Sequence, residues 1–351
     1  MLTLRDKKIL VTGFGGFLGQ HVQEYLNNQS ADVICAADFT NLLTSGCKNI
    51  DLLDINLVKK IFQTIQPEIV LHLAGYNGGI NFNIENPADI FFRNTIMGLN
   101  VLEAAKQHKI KKVVSITASC GYPCLKPLKD CENEIMYEED YLDGPPHDSV
   151  APHAYAKRNL QLASKFYNQQ YGLNAVCLCP TTLYGPGDTY DLSRTKVMGA
   201  LIKKIVDAKE RNAPEIEMYG SGSARREFIY VKDAAQLICE ASLKYNDSKE
   251  PLNIGSGQEI SIKELVDLIC SIIGYNGHIL WDKTKPDGQL RKLLDSSKMR
   301  AVLGKYQFTS LEDGIKATIE DYKTRFICNN SFENDVKREV EKSIKKQLGG
   351  A

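Results

Sequence analysis

Lys8-Ile9-Leu10-Val11-Thr12-Gly13-Phe14-Gly15-Gly16-Phe17-Leu18-Gly19 is the stretch that decides the fold. Ile9, Leu10 and Val11 form a short apolar run of the kind that makes a buried strand. A glycine turn follows, and then Val22, Tyr25 and Leu26 recur at helical spacing. Strand, glycine turn and helix in that order predict a dinucleotide site. Glycines let the backbone approach a pyrophosphate, and the helix N-terminus favours its charge. A second apolar strand, Val33-Ile34-Cys35-Ala36-Ala37, ends in Asp38, about 20 residues past the turn. A carboxylate there accepts both ribose hydroxyls and repels a 2′-phosphate, so NAD is expected and NADP disfavoured.

Outward from that unit, strands and helices alternate. A third strand is expected over 49–52, with Asp51 facing the adenine, and a helix over 57–65 leads to a fourth strand over 69–74. Residues 88–108 read as a long amphipathic helix, and 112–116 as a strand running into Thr117-Ala118-Ser119-Cys120-Gly121-Tyr122-Pro123. A helix opens at Pro152, and a sixth strand covers 175–179. This alternation predicts an α/β fold, a Rossmann-type doubly wound parallel sheet. Beyond Pro180 the texture changes to loops, short strands over 216–219 and 227–231, and helices over 195–209, 233–243 and 262–273. The expected division is a dinucleotide domain over 1–180, to which 228–255 return. A smaller C-terminal α/β substrate domain takes 181–227 and 256–328, and a charged tail covers 329–351. In the tail Val336, Val340, Ile344 and Leu348 recur every four residues, and no function is assigned to it.

Lys plus Arg and Asp plus Glu both number 43. That balance offers no basic stripe for nucleic acid and no field for an anionic membrane. The start is too short and too charged for a signal peptide, and no apolar run reaches spanning length, so a cytoplasmic protein is expected. Ten cysteines are scattered through the chain. Cys35, Cys177, Cys179, Cys239 and Cys270 lie in apolar runs and read as reduced, buried thiols. Cys120, Cys124 and Cys131 are closer together, but no His or carboxylate pattern accompanies them, and no metal site is expected.

The Thr12-Gly13-x-x-Gly16-x-x-Gly19 spacing is joined by Gly78-Gly79-Ile80-Asn81, Pro87-Ala88-Asp89, Ser119-Cys120-Gly121-Tyr122-Pro123, the 180–188 loop, Arg226-Glu227-Phe228 and the long 286–295 run. Together these resemble the extended short-chain dehydrogenase/reductase family of sugar-nucleotide enzymes over about residues 7–325. Within that family the chain looks most like the GDP-L-fucose synthase and GDP-mannose 3,5-epimerase branches. The resemblance implies a bound NAD, a nucleotide-sugar substrate of GDP-hexose type, and a homodimer formed through the 88–108 and 157–171 helices. It implies cofactor contacts at Gly13, Gly15, Gly16, Phe17, Leu18, Gly19, Asp38, Asp51, Leu52, Leu73, Ala74, Gly75, Lys157 and Pro180. Cys120 matches the cysteine that takes or gives a proton at a sugar carbon beside a carbonyl, and a nearby cation favours its thiolate. Lys196 matches the partner acid, which is His in the fucose synthases and Lys in the 3,5-epimerases. Arg226 matches the residue that grips the diphosphate, through bidentate hydrogen bonds. Tyr219 stands where an aromatic stacks on the base. Lys204 and Arg291 are candidates for phosphate or sugar, as Gly79, Asn81 and Thr182 are for substrate.

One departure concerns the acid/base helix. The family motif is Tyr-x-x-x-Lys, one helical turn that sets phenol and ammonium on one face. Tyr155 is followed four residues on by Asn159, whereas His153 is followed by Lys157. Aligned on Phe166-Tyr167-Asn168-Gln169-Gln170-Tyr171-Gly172, Lys157 falls on the family lysine and His153 on the family tyrosine. Tyr155 then lies about 200° round the helix. The family serine is Ala118, and Ser119 or Thr117 offers a hydroxyl out of register. Three readings stay open: a redox-capable epimerase or reductase with His153 in the tyrosine role; a non-redox epimerase of a 4-keto sugar nucleotide using Cys120 and Lys196, with NAD structural; and a catalytically silent binding or scaffold subunit.

Overall fold

The alternation of Ile9, Leu10 and Val11 places β1 (Lys8–Thr12) between two apolar layers. Ile9 and Val11 face one cluster with Val22 and Leu26, while Leu10 faces another with Val58, Phe62 and Leu102. Successive side chains of a strand point to opposite faces, so a strand apolar at every position needs helices on both sides. The computed structural model describes residues 3–35, 51–124, 135–192, 194–285, 287 and 289–328. Asp38, Cys131 and the 329–351 tail lie outside the described residues.

In chain order, β1 is followed by α1 (Phe17–Asn28), β2 (Asp32–Cys35), α2 (Ile55–Ile65), β3 (Ile69–His72), α3 (Ile80–Glu85) and α4 (Pro87–Gln107). Next come β4 (Lys112–Ile116), a 3-10 turn (Ser119–Gly121), α5 (Ala151–Tyr171), β5 (Ala175–Pro180), β6 (Thr182–Tyr184) and α6 (Val197–Glu210). The remainder runs β7 (Glu215–Tyr219), β8 (Arg225–Tyr230), α7 (Val231–Lys244), β9 (Leu252–Ile254), β10 (Glu259–Ser261), α8 (Ile262–Ile273), β11 (His278–Asp282), β12 (Arg291–Lys292), α9 (Ser297–Leu303) and α10 (Leu311–Tyr322).

Six strands form the main sheet in the order β2-β1-β3-β4-β5-β9, every pair parallel. α1 and α7 cover one face, and α2, α4 and α5 the other. This is the α/β, Rossmann-like, doubly wound arrangement. Among the described residues, a smaller mixed set of strands surrounds β8, which pairs parallel with β6 and β12 and antiparallel with β10. The chain then rejoins the first sheet through α7 and β9, so residues 228–230 stand with the second set of strands.

The strand expected over 49–52 is not found at its described end. Asp51 and Leu52 lie in a turn, where the Asp51 carboxylate accepts the Leu53 N–H at 2.9 Å. The adjoining Asp54 caps α2, accepting from Asn56 and Leu57. Two aspartates three residues apart satisfy turn and cap donors, which a strand ladder would leave unmet. No described helix is long and apolar enough to cross a membrane.

Candidate active site

The glycine turn sits at the carboxyl end of β1, the end where parallel sheets leave a crevice. Gly13 holds a left-handed φ of 74°, and a Cβ on it would lie 2.6 Å from the Ala74 nitrogen. A Cβ on Gly19 would come within 2.2 Å of the Gly13 carbonyl oxygen. Those two positions let α1 start flush against the strand ends. Gly16 caps α1 with no side-chain hydrogen bond, and the space beside Gly15 is open. The first N–H groups of α1 therefore face a cleft of about 670 Å³, lined on this wall by Gly15, Gly16 and Phe17. An uncapped helix start with an open glycine cradle fits a pyrophosphate. Leu73, Ala74 and Gly75 extend β3 into the same crevice, the Leu73 N–H donating to the Thr12 carbonyl at 3.1 Å. Pro180 ends β5. Leu52 is buried, and its carbonyl accepts from Asn100.

α5 brings the acid/base candidates to this crevice. Lys157 is buried, and its ammonium donates to the Ile116 carbonyl at 2.8 Å. It lies 3.9 Å from where a Gly75 Cβ would be. Burial lowers the Lys157 pKa to about 8, with Cys177 and Cys120 opposing. His153, one turn earlier on the same face, is also buried. Its Nε2 lies 3.4 Å from Asn77 Nδ2. Asn83 Nδ2 donates to Asn77 Oδ1 at 3.2 Å, which orients the Asn77 amide nitrogen toward the imidazole. Nε2 is then the acceptor, and the ring proton belongs on Nδ1. That buried Nδ1 has no partner among the described residues. Burial, followed by the charges of Lys157 and Lys196, holds the His153 pKa well below the usual imidazole value. Tyr155 is 43% exposed and packs against the Arg158 guanidinium, away from the crevice.

Beyond β4, Thr117 turns inward and donates to the Leu178 carbonyl at 3.1 Å. Ala118 presents no hydroxyl, and Ser119 and Cys120 form the 3-10 turn that follows. Buried Arg158 fixes this loop. Its guanidinium donates to the carbonyls of Gly121 (2.6 Å), Gly144 (2.7 Å) and Asp143 (2.8 Å). Burial raises the Cys120 pKa, while Lys292, Lys196 and Lys157 pull it back, in that order. Burial outweighs the three nearby ammoniums, so the resting group is the thiol, and the ammoniums offset part of the cost of its thiolate.

The second region supplies the other side. Lys196 is the N-cap residue of α6. β12 pairs with β8 so that Lys292 lies beside Arg226. Burial lowers the Lys292 pKa, with Cys120 opposing and Arg226 adding to the lowering. Lys292 was not singled out from the sequence. Strand alternation across Arg291-Lys292 was the available signal, since one of the two must face inward. Arg291, the other member, has a largely buried side chain paired with Glu259 at 2.7 Å. Arg226 is partly buried, its guanidinium donating to the Arg225 carbonyl at 2.7 Å, and burial lowers its pKa to about 10. Tyr219 is 61% exposed, with the Lys204 ammonium 4.4 Å from its ring centre. Thr182 opens β6, Gly79 caps α3, and Asn81 lies within α3.

Sequence comparison adds to this geometry. The NAD dependent epimerase/dehydratase family matches residues 9–255. The putative GDP-L-fucose synthase 2 of Arabidopsis thaliana is 35% identical over 318 residues, covering 91% of this chain and 92% of that protein. The GDP-L-fucose synthase of Escherichia coli strain K12 is 32% identical over 325 residues, covering 90% of this chain and 97% of its own. Among solved structures, a GDP-L-fucose synthetase from Naegleria fowleri bound to NADP superposes with a TM-score of 0.78 at 27% identity, covering 93% of this chain and 97% of that one. The glycine cradle, the parallel sheet and a family match across both make this chain a member of the NAD dependent epimerase/dehydratase family.

Proposed function

We propose that the chain is a GDP-sugar epimerase/reductase of the GDP-L-fucose synthase type, with Cys120 as the proton-exchange group and His153 in the position of the usual tyrosine. The observation that carries this reading is the meeting of Cys120, His153 and Lys157 around the carboxyl end of β4, with Lys292 and Lys196 reaching them from the second region. A nicotinamide, when bound, supplies or accepts a hydride at a sugar carbon. Cys120 exchanges a proton at the carbon beside the carbonyl, and the surrounding ammoniums stabilise the enolate charge that develops there. The bond to the Ile116 carbonyl holds the Lys157 ammonium beside Gly75, at the crevice where the cofactor would sit. His153 is held neutral and so accepts a proton from a sugar hydroxyl. To donate one it must first be protonated, so reduction speeds up as pH falls toward its depressed pKa.

The cofactor is a nicotinamide dinucleotide, and NAD is preferred over NADP because of Asp38, which lies outside the described residues. Comparing NADH and NADPH dissociation constants tests this, and tighter NADPH binding would remove the preference. A homodimer is proposed through α4 and α5, whose outer faces expose Phe92, Leu99, Phe166 and Tyr171. Gel filtration with light scattering decides between one copy and two. The principal test is His153→Ala in the presence of a GDP-4-keto-6-deoxyhexose. Reduction should fall by about 10²- to 10⁴-fold with dinucleotide binding retained, and unchanged reduction would remove His153 from the reaction.

A second reading is favoured by the neutral imidazole in the tyrosine position and by Ala118, which lacks the hydroxyl of the family serine. In it the chain epimerises a 4-keto sugar nucleotide without net redox, through Cys120 and Lys196. Reduced-nicotinamide absorbance that stays flat while epimer accumulates would select this reading over the first.

A further inference from the structure

Arg194 stands across the cleft from the glycine turn. One wall of that cleft is Gly15, Gly16 and Phe17; the facing wall includes Thr189, Arg194, Lys203 and Arg325. Most charges on the facing wall are committed within the wall itself. Lys203 pairs with Asp207 at 3.0 Å and donates to the Tyr322 hydroxyl at 3.1 Å. Arg325 pairs with Asp321 at 3.1 Å and donates to the Asp188 carbonyl at 3.0 Å. Asp188 is buried, and burial raises its pKa, with Lys196 and Arg325 opposing.

Arg194 differs from these. Its backbone N–H is tied to the Asp191 carbonyl at 2.9 Å, so its place in the loop is fixed. Its guanidinium rests 5.3 Å from the centre of the Phe82 ring and is partnered by no carboxylate among the described residues. An aromatic face holds a guanidinium in place while leaving its in-plane N–H donors available. A pyrophosphate seated on the α1 N-terminus receives backbone N–H groups from one side only. Its opposite oxygens face the cleft, where a planar, bidentate cation is the suited partner.

We propose that Arg194 is a cofactor-binding residue, closing the second wall of the pyrophosphate site from the substrate side of the cleft. This rests on reading the glycine turn as a dinucleotide site. It has a consequence for the reaction, because Lys196 lies two residues further along the same loop. A pyrophosphate held by Arg194 therefore braces the same segment that carries Lys196 to Cys120.

The test is calorimetric titration of the full chain, freed of nucleotide, with ADP-ribose, adenosine and GDP. For Arg194→Gln, ADP-ribose should bind about tenfold more weakly, with a shallower salt dependence than wild type, while adenosine and GDP are unchanged. Arg194→Lys should recover part of the loss. Equal ADP-ribose affinity in wild type and Arg194→Gln overturns the proposal and leaves the dinucleotide reading standing, and so does a matching loss for adenosine or GDP. If wild type binds neither ADP-ribose nor a nicotinamide dinucleotide, the dinucleotide reading itself fails.

Discussion

The two walls of the cleft are built on different physical terms. The first wall is backbone and buried side chain: a glycine turn pressed against Ala74, a lysine bonded to a strand-end carbonyl, and an imidazole held by an asparagine. The second presents long cations and an exposed aromatic: Arg194 on a loop, Lys196 and Lys204 on the cap and body of α6, and Tyr219 at the end of β7. A close-packed wall tolerates little displacement, whereas exposed ionic and stacking contacts lose strength gradually. Changes on the first wall should therefore affect folding and the chemical step, and changes on the second mainly affinity.

Gly19→Ala attacks the first wall where it is tightest, since the new methyl would overlap the Gly13 carbonyl oxygen. Urea denaturation should show a loss above about 4 kcal/mol together with lost dinucleotide binding. A stable variant that binds the cofactor would mean the wall is softer than described. Arg158→Met is next. It leaves the carbonyls of Gly121, Asp143 and Gly144 without their buried donor, and should cost about 2–4 kcal/mol in the same measurement.

The buried histidines sharpen the contrast through pH. Burial, aided by Lys157, lowers His72 from 6.5 to about 3, and His153 is also held below 6.5. The unfolded chain binds more protons than the native one below pH 6.5, so stability is present above that pH and declines as pH falls. The slope is about 1.4 kcal/mol per pH unit for each group. His153→Asn should flatten it, and an unchanged slope would place the imidazole in solvent. The smallest effect belongs to the second wall: Tyr219→Ala should weaken GDP binding about fivefold with stability unchanged. An effect on stability as large as that of Arg158→Met would erase the distinction between the walls.

Legibility in the sequence follows the same division. β1, the glycine turn and α1 are contiguous, so their order along the chain contains the fold and the cradle. His153 and Lys157 are one helical turn apart, and register alone puts them on one face with Tyr155 elsewhere. Lys292 was not legible, because its place beside Cys120 depends on β12 pairing with β8. Arg158 and Asn77 were missed for a related reason: each acts on a loop or ring that only the folded chain brings near. The strand expected at Asp51 failed on a signal that was present, the second aspartate at Asp54 that caps α2. Asp38 rests on sequence position alone.

The most direct measurement of the central claim follows deuterium from solvent into the sugar of GDP-4-keto-6-deoxymannose, with reduced nicotinamide cofactor, for wild type and Cys120→Ser. Wild type should place deuterium at carbons flanking the carbonyl and consume the reduced cofactor, and Cys120→Ser should lose the deuterium. Full labelling by Cys120→Ser, or none by wild type, would contradict the assignment of Cys120 and with it the account of the cleft.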